Sequence, residues 1–224
     1  MAKQTVLRRW LAFAAIGLVV LAGAALTASH SEARSSATPK WVTAAKQRLD
    51  KLEVKQAGSM TGYSRAKFGP AWEDVDLNRC DTRNDILARD LRPRSFKGES
   101  ECKVAEGTLA DPYTKKTISF LQGKKTSSAV QIDHVVALAA AWRTGAKQWT
   151  GDLRLFYAND PLVLLAVDGP ANSAKGDKDV AAWLPPNSAY RCKYVAQQIS
   201  IKTKYELWVT PPEQAEMAEV IADC

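Results

Sequence analysis

Histidine is scarce in this chain, with two in 224 residues. His30 falls at the junction of an N-terminal segment, so His134 is the one imidazole left for a folded domain. A zinc hydrolase site built from two or three imidazoles is thereby excluded, and HExxH is absent. A Ser-His-Asp hydrolase has no GxSxG turn to use, and Asp133, next to His134 in an extended segment, points to the opposite face. A single histidine can still serve as a general base beside a metal ion. Cysteine is also sparse, at four residues with no CxxC spacing, which argues against a zinc site. No internal repeat occurs, and the one long apolar run, Trp10 to Leu26, is shorter than the about 20 residues of a comfortable membrane span.

What remains describes one domain of ordinary size with an appendage. Apolar residues at 46% and charged residues at 25% exclude both a disordered polyelectrolyte and a multispanning membrane protein. Lys3, Arg8 and Arg9 precede the apolar run, and Thr27, Ala28 and Ser29 follow it, as in a secretory signal. Cleavage is expected near Ala28, so that residues 1–28 are a signal peptide; Gly23-Ala24-Ala25 and Ser31-Glu32-Ala33 are other possible sites. An uncleaved membrane anchor is the alternative to a secreted, extracellular protein with no stable span. The chain carries 31 basic and 24 acidic residues, a net +7; loss of the signal leaves 28 against 24, or +4, which permits a polyanionic partner without requiring one. Export to an oxidising compartment makes Cys80, Cys102, Cys192 and Cys224 a disulfide set. Of three possible pairings, the sequence-local one, Cys80 with Cys102 and Cys192 with Cys224, is favoured because each closes a moderate loop.

Residues 29–39 are small and polar and read as a disordered tether, leaving 40–224 as the folded domain. Trp41, Ala45, Leu49 and Leu52 predict a first helix with Lys46, Arg48 and Lys51 outside. Tyr63 to Arg79 reads as irregular. Asp81 is an N-cap for a short helix through Ile86, Leu87 and Leu91, stopped at Arg92-Pro93. Cys102 to Gly123 predicts a hairpin, and Ala129 to Ile132 a strand that runs into Asp133-His134. Val136 to Trp149 is helical in composition, and Leu162 to Val167 is an apolar strand. A helix from Pro170 carries Asn172, Lys175 and Asp179 toward Pro185-Pro186. Helices over Ser188 to Leu207 and Pro212 to Ala222 finish an α+β chain.

Asp133-His134 alone means little; its surroundings give it weight. Asp133-His134-Val135-Val136-Ala137-Leu138 is followed by Ala141-Trp142-Arg143, Tyr157-Ala158-Asn159-Asp160-Pro161-Leu162, Asn172-Ser173-Ala174-Lys175-Gly176-Asp177 and Trp183-Leu184-Pro185-Pro186. Upstream stand Cys80-Asp81-Thr82-Arg83-Asn84-Asp85-Ile86-Leu87 and Asp111-Pro112-Tyr113. In these segments the chain resembles the HNH endonucleases, and more closely the secreted HNH-family proteins related to the C-terminal nuclease domain of GmrSD-type restriction enzymes. The resemblance runs from about Tyr63 to Tyr205.

The resemblance implies a ββα-metal (His-Me finger) core with additional helices and an N-terminal hairpin, acting as an endonuclease on nucleic acid, DNA before RNA, with low sequence specificity. It implies that Asp133 and Asn172 hold one divalent metal, Mg²⁺ or Mn²⁺ before Zn²⁺, and that His134 is the general base. Lys175 is placed for substrate phosphate, with a surface lysine as the equal alternative. The middle asparagine of the HNH pattern falls on Val163, a departure that puts base alignment in doubt and leaves Asn159 as a weak substitute brace. The rival expectation is a weakened or inactive scaffold that binds nucleic acid or an envelope polyanion. Arg83 and Asp85 are secondary candidates, Arg83 for phosphate or as a brace. Arg191, Lys193, Lys202 and Lys204 read equally as a backbone-tracking stripe or a solvated helix face. Trp142, Trp149 and Trp183 are assigned to the core.

Overall fold

The computed structural model describes residues 38–224; the expected signal, its cleavage site, His30 and most of the tether lie outside the described residues. The first helix, α1, spans Lys40–Leu49 and buries Val42, Ala45 and Leu49. Its apolar face is thus turned from the expected one: Val42 points inward and Trp41 is 43% exposed. Helix α2, Thr82–Asp90, starts as expected at Asp81, whose side chain accepts from the Asn84 amide.

Three strands then form an antiparallel sheet in the order β1 (Arg94–Phe96), β2 (Val104–Ala110) and β3 (Thr117–Leu121). The β2–β3 hairpin was legible in the alternation; the three-residue β1 is too short to show any. A Cys80–Cys102 disulfide ties the segment before α2 to the one before β2, and Cys192–Cys224 pins the last residue, so the sequence-local pairing is the one formed.

A second, two-stranded antiparallel sheet pairs β4 (Val130–His134) with β5 (Leu164–Asp168), register Ile132 with Ala166 and His134 with Leu164. The helix expected over Val136 to Trp149 is shorter, and a second helix before β5 was not expected. Helix α3 covers Leu138–Arg143 and α4 covers Gly151–Asn159. The break is Gly145, whose φ of +140° is a conformation that other residues rarely adopt. Thr150 restarts the helix by accepting from the Leu153 amide.

Helix α5 is Gly169–Lys175 and stops at Gly176 rather than running on to Pro185. Helices α6 (Ser188–Lys204) and α7 (Pro211–Ala222) close the chain, α7 with a full capping box between Thr210 and Glu213. The fold is α+β. Helix α1 packs on α6 and α7 over the larger core, while a smaller core lies between α2, the hairpin and one face of β4–β5. Trp142 is buried, and Trp149 and Trp183 pack against the larger core, as expected.

Candidate active site at the end of strand β4

Strand alternation assigns the site. Val130, Ile132 and His134 share one face of β4, with Val130 and Ile132 in the smaller core; Gln131 and Asp133 take the other face. Asp133 and His134 are adjacent in sequence, diverge across the sheet, and are both buried.

Helix α5 returns at once onto β4 and β5. The Asp168 side chain caps it by accepting from Ala171 N, and Gly169 allows it to start where it does, since a Cβ there would lie 2.2 Å from the Ser128 carbonyl oxygen. Asn172 and Lys175, three residues apart, therefore share one face of α5. The Asn172 amide nitrogen donates to Gln131 Oε1 at 2.8 Å, and Lys175 Nζ donates to Asp133 Oδ1 at 2.8 Å and to the His134 carbonyl at 2.9 Å. Tyr113 Oη donates to Asp133 Oδ2 at 2.6 Å. Burial and the neighbouring carboxylate hold the Tyr113 hydroxyl protonated, so it remains a donor. Burial also pushes the Asp133 carboxyl above its ordinary value, against the opposing pull of Lys175 and Tyr113.

His134 is fixed through its ring. Nε2 lies 2.9 Å from the Ala158 carbonyl, and a carbonyl only accepts, so Nε2 carries the proton and Nδ1 keeps the lone pair. Burial, then the Arg65 guanidinium, lowers the imidazole pKa to about 3, so the ring is neutral at physiological pH. The Trp72 ring lies nearly parallel to it, 19° between planes and 6.2 Å between centroids. A cavity of about 240 Å³ is lined by Asp133, His134, Asn172 and Asp177, with Arg65 at its wall.

The other expected site residues have definite places. Lys175, expected at a phosphate or on the surface, is fully buried in the ion pair with Asp133. Arg83 donates to the carbonyls of Ser127 and Val130, bracing the entry to β4. Asp85 accepts from the Asn78 side chain. Val163 is buried, and its carbonyl accepts from Val135 N at 2.8 Å, extending the ladder past His134. Asn159 donates to the Leu155 carbonyl and makes no side-chain hydrogen bond to the loop before β5; that loop is braced by Asp160, which accepts from Leu162 N, Lys204 Nζ and Tyr205 Oη. The basic residues of α6 are not a free stripe: Lys202 is buried against Glu213, Lys204 bonds Asp160, and Arg191 bonds the Pro185 carbonyl.

Sequence reasoning missed Asp160, Arg65 and Trp72. Tyr113 carried a signal, since its Asp-Pro-Tyr segment shares the family resemblance; Arg65 opens a 3-10 helix of one turn, Arg65–Phe68, and Trp72 lies in irregular chain, both too short or too irregular for periodicity to mark them.

Asp133 and Asn172 offer oxygen donors of the kind that hard divalent cations take. The Asn172 amide nitrogen is bonded to Gln131, which leaves its carbonyl oxygen as the end with no bond partner, and Asp133 accepts one bond at each oxygen, below a carboxylate's capacity of about four lone-pair sites. No group of three or more His, Cys, Asp or Glu converges on a metal position among the described residues. Oxygen donors of this kind suit a hard cation that keeps waters in its shell, Mg²⁺ or Mn²⁺ before Zn²⁺.

A relative in Arthroderma benhamiae, named "Uncharacterized secreted protein", is 32% identical over 209 residues, covering 92% of this chain and 98% of its own length. No solved structure matches the chain. The model of the family described as GmrSD restriction endonucleases, C-terminal domain, matches residues 81–220, the span that holds Asp133, His134, Asn172 and the strands and helix that carry them. The chain belongs to that family.

Proposed function

We propose that this protein is a secreted endonuclease that hydrolyses phosphodiester bonds in nucleic acid, with His134 as general base and Asp133 and Asn172 as ligands of one Mg²⁺ or Mn²⁺. The observation that carries the reading is His134 itself: a neutral imidazole held by Nε2–H to the Ala158 carbonyl, with no hydrogen bond at Nδ1, on a residue that lines one cavity with Asp133 and Asn172. The succession β4, β5, α5, with α5 packed on both strands, agrees with a ββα-metal core. Family membership supports a nuclease, and the secreted relative supports export together with the paired cysteines.

His134 Nδ1 takes a proton from a water as the water oxygen attacks phosphorus in line, and the opposite phosphorus–oxygen bond breaks to release one strand end. A bound divalent cation supplies charge neutralisation for the phosphate and the leaving oxygen. The Nε2–H bond keeps the imidazole in the reactive tautomer. Lys175 orients Asp133 and balances its charge inside the fold; it is a positioning residue. Arg65, exposed at the cavity wall, is suited to a non-bridging phosphate oxygen.

The test is cleavage of plasmid DNA and of a long RNA by the purified protein with Mg²⁺, Mn²⁺ or chelator. Cutting that needs the metal and is lost in His134→Ala is expected. Full activity in chelator, or in His134→Ala, overturns the mechanism; salt-sensitive binding with no cutting under any divalent metal points to the inactive-scaffold reading.

A further inference from the structure

Asp133 and Asn172 are held by a crossed pair of contacts. Asp133, on β4, is bound by Lys175 of α5, while Asn172, on α5, is bound by Gln131 of β4, each bond being 2.8 Å long. The periods of the two elements produce this arrangement. Residues 131 and 133 share one face of the strand, residues 172 and 175 share one face of the helix, and the two pairs meet rung by rung. Lys175 and Tyr113 orient Asp133. Gln131 is half-buried and is not among the residues that line the cavity shared by Asp133, His134 and Asn172, so its one evident partner at the site is the Asn172 amide.

An amide differs from a carboxylate in having one end that ligates a cation and one that carries only donors. Half a turn about the last side-chain bond of Asn172 would exchange Oδ1 and Nδ2 with little change in shape, so the chemistry of the neighbour decides which end is presented. Gln131 Oε1 takes the Nδ2 hydrogen, and Oδ1 is left with no hydrogen bond among the described residues. The Gln131 side chain has room to offer its oxygen because its Nε2 lies over Gly169, where a Cβ would stand 3.3 Å away. Its backbone is fixed as well, opposite Val167 in the β4–β5 ladder.

We propose that Gln131 is a positioning residue that sets which end of the Asn172 amide is presented to the divalent cation. The proposal rests on the reading of Asn172 as a metal ligand and goes beyond it in assigning a requirement to position 131, which is a hydrogen-bond acceptor. An acceptor there holds Nδ2 and presents Oδ1; an apolar residue leaves the two ends of the amide undirected.

The test is Mn²⁺ binding without nucleic acid, read as free Mn²⁺ by electron paramagnetic resonance, with the site defined as the one lost in Asn172→Ala. Gln131→Met, close in size but without the acceptor, is expected to weaken this site roughly 10- to 100-fold, as is usual for a group that orients a metal ligand. Gln131→Glu, an acceptor of the same length, is expected to bind at least as tightly as the wild-type protein. In Asn172→Asp, whose carboxylate has an oxygen at both ends, adding Gln131→Met is expected to change the affinity by no more than about twofold, the scatter of independent changes. Damage to the fold alone would follow neither the acceptor at 131 nor the identity of residue 172. Wild-type affinity in Gln131→Met, a loss in Gln131→Glu equal to that in Gln131→Met, or an undiminished loss in the Asn172→Asp background therefore overturns the positioning role and leaves the ligand reading standing. Wild-type Mn²⁺ affinity in Asn172→Ala overturns the ligand reading, and the role of Gln131 with it.

Discussion

Lys175 and Asp133 form an ion pair of 2.8 Å whose two side chains are 0% and 5% exposed, carried by different elements that β5 and its turn bring together. A pair this deep is not a general source of stability, because both ions lose their hydration on burial. Its consequence is dependence: neither residue can be removed alone without stranding the other.

Lys175→Met is therefore expected to lower the unfolding free energy by about 3–5 kcal/mol, because it leaves a buried carboxylate that Tyr113 alone cannot balance. The double variant Lys175→Met with Asp133→Asn is expected to lose much less than the sum of the two single changes. Urea denaturation of all four proteins measures the coupling; additive losses would show that the pair is not a unit.

His134 makes stability depend on pH with a definite sign. Its folded pKa is lowered to about 3 from an ordinary 6.5, so between these values the unfolded chain binds the extra proton. Stability from this group is complete above pH 6.5 and declines as pH falls toward 3, at up to about 1.4 kcal/mol per unit. Asp133, raised by burial, acts in the opposite sense over its own range, so the comparison is with His134→Gln, whose stability curve is expected to be flatter below pH 6.5. The same shift places the acid limb of kcat/KM well below pH 6.5; a limb centred there would mean an ordinary exposed imidazole.

Gly169→Ala addresses the helix that carries the site. The added Cβ meets the Ser128 carbonyl oxygen at 2.2 Å, and because that atom is backbone, α5 has to shift. A loss of about 1–3 kcal/mol is expected, with a disproportionate fall in cleavage as Asn172 and Lys175 move with their helix. A stability loss with wild-type cleavage would mean that the start of α5 relaxes independently of its functional face.

The Cys192–Cys224 bridge closes a separation of 32 residues and holds α7 onto α6. Replacing both cysteines by serine is expected to cost about 3–4 kcal/mol on the chain-entropy account. Thermal unfolding of this variant, beside the wild-type protein with and without reductant, measures it.

Much of the framework is local and was therefore legible. Asp81 caps α2 because a short oxygen side chain before an amphipathic run satisfies free helix amides. The hairpin shows in alternation, and Gly145 breaks a helix that composition alone would have continued. Helix α4 was missed because its apolar residues make a weak stripe; it stands on its Thr150 cap and on the burial of Tyr157, Ala158 and Asn159.

Within the site, the sequence by itself determined that one imidazole was left for the folded domain, that an aspartate stood next to it on the opposite strand face, and that an asparagine and a lysine lay three residues apart on one short helix. Residue identity and backbone period decide such things. Only the tertiary structure decided that Lys175 faces Asp133 rather than solvent, that Asp160 rather than Asn159 braces the loop, that Trp72 stacks near His134 and that Arg65 lines the same cavity as His134. Those outcomes depend on which elements exclude water from one another, and pairing across more than 40 residues has no signature in any local pattern.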